Sequence, residues 1–185
     1  MLIDLRKYVK LIIILLLVLS FLLTGFFAFR FLFPVRHLSI VRELAAEHSL
    51  DPALVMAVIN AESRFRPNAQ SHAGAKGLMQ IMDSTAIWIA ERANLPGYNA
   101  RVFEPYANIA MGTWYLAHLI NMFGNEETAL AAYNAGQGRV REWLRNPEFS
   151  SDGITLDYIP FPETRNYVRR ITRERRVYEF LLRWF

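Results

Sequence analysis

Residues 11–29 hold no charged side chain, and nothing else in the chain limits its fold so strongly. The run is built from Leu, Ile, Val, Phe and Ala, interrupted only by Ser20, Thr24 and Gly25. As a helix rising about 1.5 Å per residue, it comes close to the ~30 Å depth of a bilayer's hydrocarbon core. The expectation is one transmembrane helix over 11–29, preceded by a tail over 1–10 and followed by a juncture over 30–36 around Pro34 and Val35. A cleaved signal peptide is the competing reading. Its apolar region is usually shorter, ~7–15 residues, and no clear small-x-small cleavage site precedes Arg30. Arg6, Lys7 and Lys10 lie before the run, Arg30 and Arg36 after it. That slight excess puts the tail on the cytoplasmic side of the inner membrane and the rest of this single-pass chain outside it.

Residues 37–185 are numerous enough for one domain with its own core, since 53% of the 185-residue chain is hydrophobic. No cysteine is present, which excludes disulfides, a thiol nucleophile and cysteine zinc sites. The net charge of +4 belongs to residues 1–36, where five basic side chains meet one acidic; the remainder has 16 of each sign. A charge so confined does not make a nucleic-acid surface, and nucleic-acid partners are excluded. His37, His48, His72 and His118 show no ligand spacing, so no metal is expected. Neither a Gly-rich phosphate loop nor a repeat occurs, and no cofactor is expected.

Within this domain the informative stretch is residues 51–82. Asp51 can cap a helix whose first turn suits Pro52. Leu54, Val55, Met56, Val58 and Ile59 make that helix apolar on nearly every side, as in a core. Glu62 falls seven, four and three positions after Val55, Val58 and Ile59 and so shares their face. A carboxyl there loses hydration, which raises its pKa and gives it the protonated state of a general acid. The plainer alternative is a surface carboxylate or an ion pair with Arg64 or Arg66. Ser63, Phe65 and Pro67 end the helix, and Gly74 and Gly77 bracket a turn before Leu78, Met79, Gln80, Ile81 and Met82.

The rest of the domain reads as helices. Leu38, Val41, Leu44 and Ala45 recur at helical spacing between His37 and His48. Asp83 or Ser84 can cap the next helix, and Pro105 opens another that runs to Phe123 and stops at Gly124. A short helix over 126–132 leads to Tyr133, Asn134 and Gly136, with a turn or two over 140–144 and an exposed loop over 148–158. Asn134 as a cap and Tyr133 as core compete evenly with both residues at a cleft edge. Pro162 opens a last helix with Tyr167 and Val168 inward and Arg165, Arg169, Arg170, Arg173, Arg175 and Arg176 along it. These arginines read as a solvated face, the alternative being contact with anionic wall polymers or lipid headgroups.

Four blocks, in order, resemble the soluble lytic transglycosylase (SLT) domain family. They are Glu62, Ser63, Phe65 and Pro67 with Ser71 and residues 77–82; then Asn108, Ile109, Gly112, Tyr115 and Leu116; then residues 132–136; then Pro160, Glu163, Thr164, Tyr167 and Val168. One departure is Asp83, where the family usually has proline. The resemblance runs from about Val41 to Ile171 and implies a mainly α, lysozyme-like (goose-type) domain with a small β-hairpin.

It also implies an enzyme that cuts the β-1,4 bond from N-acetylmuramic acid to N-acetylglucosamine in peptidoglycan glycan strands without water, leaving a 1,6-anhydro ring. Glu62 is then the catalytic acid and Ser71 touches the muramic N-acetyl group. Gln80, Met82, Tyr133 and Asn134 line the groove, Tyr115 borders it, and Glu163 with Tyr167 completes it. Ordinary glycosidases hold two carboxylates ~5–5.5 Å or ~6.5–9.5 Å apart. The matched blocks offer one convincing acid, which suits an attack by the sugar's own C6 hydroxyl. A goose-type muramidase hydrolysing the same bond, and a non-catalytic wall-binding scaffold, are the alternatives. The sequence names no protein partner.

Overall fold

The computed structural model describes residues 5–184 and is almost wholly helical. Of the tail expected over 1–10, residues 1–4 lie outside the described residues, as does the domain's last residue, 185. The chain divides into two compact units, Met1–Val35 and Arg36–Phe185. In the first, α1 (Leu5–Leu32) continues past residue 29, with Arg30 in its last turn. Its segment Tyr8–Leu32 is long and apolar enough to cross a membrane, a test that a signal sequence near the N-terminus also passes.

The second unit contains α2 (Leu38–Glu47), α3 (Pro52–Ser63), α4 (Asp83–Arg92), α5 (Pro105–Phe123), α6 (Glu126–Ala135), α7 (Gln137–Leu144) and α8 (Pro162–Leu181). At its centre is α3, packed against α2 and most extensively against α8. Local chemistry sets its start: the Asp51 carboxylate accepts from Ala53 N at 2.8 Å, and Pro52 needs no partner for a missing N–H. Leu54, Val55, Met56, Val58 and Ile59 are each at most 1% exposed. Burial of such a side chain stabilises by about 1.5–3 kcal/mol, an upper figure because unfolded chains already hide some apolar surface. The helix stops because Arg64 and Phe65 turn left-handed, at φ 52° and 58°. That strain is offset by complete burial of the Phe65 ring, which packs 6.3 Å from Tyr178.

Met82, not Asp83 or Ser84, stands at the N-cap of α4. Asp83 is its first residue, and its carboxylate is held by Lys76 at 2.7 Å. Gly124, at φ 65°, caps α5. Helix α6 runs on to Ala135, which carries Tyr133 and Asn134 into its last turn, and α7 begins directly after Gly136. The small hairpin implied by the resemblance is reduced to two isolated antiparallel bridges, Gln70 with Lys76 and Lys76 with Ile81. Side chains add to these backbone bonds: the carbonyls of Ala69 and Gly77 also accept from the Gln80 amide, and that of Lys76 from Asn108.

Candidate active site

Glu62 lies in the last turn of α3, where helix carbonyls gather partial negative charge that disfavours an anion. From α8 the Tyr167 hydroxyl donates to its Oε1 at 2.6 Å. Burial raises the Glu62 pKa from the ordinary 4.5 to about 7, against the opposing pull of the Tyr167 hydrogen bond and the Arg170 charge. Desolvation therefore wins over two stabilisers of the anion. Among the described residues Oε2 accepts no hydrogen bond, and it is not sealed off, so this oxygen is the one open to a ligand.

Arg170 sits behind the acid. It donates to the carbonyls of Asn60 and Ala61, both at 3.2 Å, and its Nε meets Glu174 Oε1 at 2.7 Å. The other Glu174 oxygen accepts from Asn60 Nδ2 at 2.8 Å. One guanidinium thus caps the end of α3, while Glu174 offsets much of its charge. Arg175 also points inward, meeting Asp51 and Glu126 at 2.8 Å and Glu179 at 3.0 Å. For these two arginines the solvated-face reading fails, because the ends of α3 and α6 offer them carbonyls and carboxylates.

The turn after residue 76 forms another wall. A Cβ on Gly77, which has φ 80°, would lie 2.2 Å from Asn108 Nδ2, so only glycine lets the two approach. Asn108 is fully buried in α5. It accepts from Met79 N at 2.7 Å and donates to the carbonyls of Lys76 (3.0 Å) and Val102 (2.6 Å). From α6 the Tyr133 hydroxyl donates to Met79 O at 2.8 Å. Gly112 lets Met79 press on α5, since a Cβ there would meet its Sδ at 2.4 Å. Gln80, left-handed at φ 50°, folds its amide back onto Ala69 O and Gly77 O at 3.1 and 2.9 Å.

Four of the nine expected site residues therefore come together. Tyr167 touches Glu62, and Tyr133 is close enough that burial, with the charge of Glu62 added, pushes its phenol well above the ordinary value. Tyr115 lies against Tyr133 with ring centres 5.5 Å apart. Tyr115 also borders a 210 Å³ cleft with Ser84, Thr85, Trp88 and Gln137. Asn134, beside Tyr133 in sequence, accepts from Thr164 Oγ1 at 2.7 Å and so ties α6 to the start of α8. Ser71 is exposed, its Oγ accepting from Ala75 N at 3.0 Å. Gln80 is half-buried, Met82 is 40% exposed, and Glu163 is exposed in the first turn of α8; none of these is bonded to Glu62. Among the described residues no three His, Asp or Glu side chains gather as a metal site would require.

From sequence, Arg170 is placed on a solvated face, Trp88 is only a packing residue of α4, and Glu174 and Asn60 carry no expectation. An Arg–Glu pair at i, i+4 is a visible signal on α8, but nothing local says that it faces α3.

Residues 39–154 match the transglycosylase SLT domain family. The soluble lytic murein transglycosylase of Escherichia coli K12 is 35% identical over 154 residues, covering 81% of this chain and 24% of that protein. The membrane-bound lytic murein transglycosylase C of Salmonella arizonae is 28% identical, covering 77% of this chain and 46% of that protein. Among solved structures, an inactive Glu-to-Gln mutant of lytic transglycosylase Slt from Pseudomonas aeruginosa aligns with TM-score 0.73 and 34% identity, over 82% of this chain and 25% of that one. The chain spans about a quarter of the length of the first of these relatives. With a match over more than half its length, this chain belongs to the transglycosylase SLT domain family.

Proposed function

We propose that this protein is a membrane-anchored lytic transglycosylase that cleaves peptidoglycan glycan strands between N-acetylmuramic acid and N-acetylglucosamine. The observation that carries the reading is Glu62, protonated up to about pH 7, held by Tyr167 and with one oxygen free. Tyr167 and Arg170 are the groups that act on it most, and neither is a carboxylate. A lone acid of this kind fits a reaction that needs no positioned water. Glu62 gives its proton to the bridging oxygen as the bond from the muramic C1 breaks. The ionised carboxylate then takes the proton of the C6 hydroxyl as O6 bonds to C1, which closes the anhydro ring and restores the acid. Tyr167 steadies the carboxylate during the interval in which it is charged.

In this reading Ser71 contacts the N-acetyl group. Gln80, Met82, Tyr115, Tyr133, Asn134 and Glu163 line the sugar path, whose 210 Å³ aromatic cleft beside Trp88 suits the apolar faces of sugar rings. Residues 11–29 anchor the chain in the inner membrane, 1–10 face the cytoplasm, 30–36 connect, and 37–185 work outside. The basic residues ahead of the span and the existence of membrane-bound relatives support that orientation and attachment. The test is digestion of purified peptidoglycan by the full-length protein in detergent, followed by mass analysis. Anhydro-muramic ends, one water lighter than reducing ends, are expected. Reducing ends would make the protein a hydrolase, and absence of cleavage would leave it a scaffold.

A further inference from the structure

A cavity of 620 Å³ in the folded domain does not have Glu62 in its lining. Arg165, Arg169, Thr172, Arg173 and Arg176 of α8 line it, together with Tyr158 from the loop before α8. At 100° per residue these positions centre on the side of α8 opposite Tyr167, so α8 separates the cavity from the acid. Arg165 is engaged locally, donating to Ile159 O at 3.0 Å and lying over the Tyr158 ring at 4.9 Å. Arg169, Arg173 and Arg176 are exposed and form no ion pair within the described residues. Spaced i, i+4 and i+7, they repel one another along a single helix face, an arrangement that an anion would relieve.

The lining also restricts the kind of anion. Glu127 and Asp157 share the cavity with the four arginines, and Leu156, Ile159 and Val168 give it an apolar side. A dense polyphosphate would meet two carboxylates there. A peptide carrying separate carboxylates, an amine and aliphatic carbons finds a counterpart for each, with guanidinium forks for its carboxylates. The peptides attached to peptidoglycan glycans have that chemistry. Half the circumference of a helix about 10–12 Å thick is about 16–19 Å, and an extended peptide covers ~3.5 Å per residue, so about five residues pass round α8 from one side to the other.

We infer that this groove is a second substrate site, holding the carboxylates of the peptide that hangs from the strand being cut at Glu62. The inference rests on the function proposed above, and its test separates the two. The full-length protein in detergent is given soluble glycan strands with their peptides, and the same strands stripped of peptide by an amidase. Wild type is expected to favour the peptide-bearing strands in kcat/KM. In Arg169→Gln/Arg173→Gln that preference should fall about tenfold through KM, with kcat on the same strands little altered; Arg169→Lys/Arg173→Lys should recover part of it. Added salt should erode the wild-type preference but not the variant's remainder.

An equal preference in wild type and the Gln variant overturns the inference while leaving the proposed function standing. Loss of binding to vesicles containing anionic phospholipid, with the preference intact, overturns it in favour of a headgroup site. If wild type cuts neither substrate, both readings fall together.

Discussion

Glu62 and Asp152 are carboxylates driven in opposite directions by the same fold. Asp152 is exposed and surrounded by donors: Ile154 N, Thr155 N and Thr155 Oγ1 at 2.7 Å, and Ser150 Oγ at 3.3 Å. The backbone hydrogen bonds from Thr155 and Ile154, with the hydroxyls added, bring its pKa from 3.8 to about 2. Glu62 has a single hydroxyl donor and little water, and stands at about 7. The difference lies in what replaces hydration. Four donors replace it fully and make Asp152 a permanent anion that staples a loop; one donor replaces it poorly and leaves Glu62 able to give and recover a proton.

Substitution at the two positions should diverge most. Glu62→Gln is expected to lower strand cleavage by roughly 10²–10⁴-fold, the range of a lost general acid. It should also stabilise the fold above pH 7. A carboxyl with a folded pKa above its unfolded one leaves stability untouched below about 4.5 and subtracts from it as pH rises toward about 7. At about 1.4 kcal/mol per pKa unit, less a share for solvent at Oε2, the gain on removal is about 2 kcal/mol at pH 8. Denaturant unfolding at pH 4 and pH 8 checks it: an equal effect at both would show that burial does not set the Glu62 pKa.

Tyr167→Phe removes the hydroxyl that favours the anion, so the alkaline limb of the cleavage profile should move upward, on the order of one pH unit. A downward move would mean that Tyr167 favours the protonated form. The smallest effect is expected at the other pole of the comparison. Asp152→Asn should leave cleavage unchanged and slightly lower the melting temperature at pH 7. Asp152 contributes stability above its unfolded pKa of 3.8 that disappears as pH falls through about 2, so variant and wild type should melt alike at lower pH.

What could be read from the sequence follows the range of the forces involved. The start of α3 was legible because Asp51 and Pro52 act on their own helix, and the end of α5 because Gly124 does. The setting of Glu62 was legible in part because Val55, Val58 and Ile59, on the same face of its helix, are buried. Arg170 was not distinguishable from Arg169 by type or spacing. Its partner Glu174 is tied to Asn60, 114 positions earlier in the chain, and that contact exists only after folding. The reduced hairpin was hidden for the same reason, since Asn108 bonds groups from two other segments. Ser71, Met82 and Glu163 were read through resemblance, and their expected work is on the sugar, not on one another.

Asn108 and Tyr133 pin Met79 from 29 and 54 positions away, and Tyr167 reaches Glu62 from 105. The acid is thus synthesised early and its surroundings arrive last. A nascent or clipped chain ending short of α8 carries a carboxyl bathed in water, with ordinary affinity for its proton and nothing to steady it. Under the proposed function, an unfinished copy would lack the hydroxyl that steadies its acid until α8 has been made.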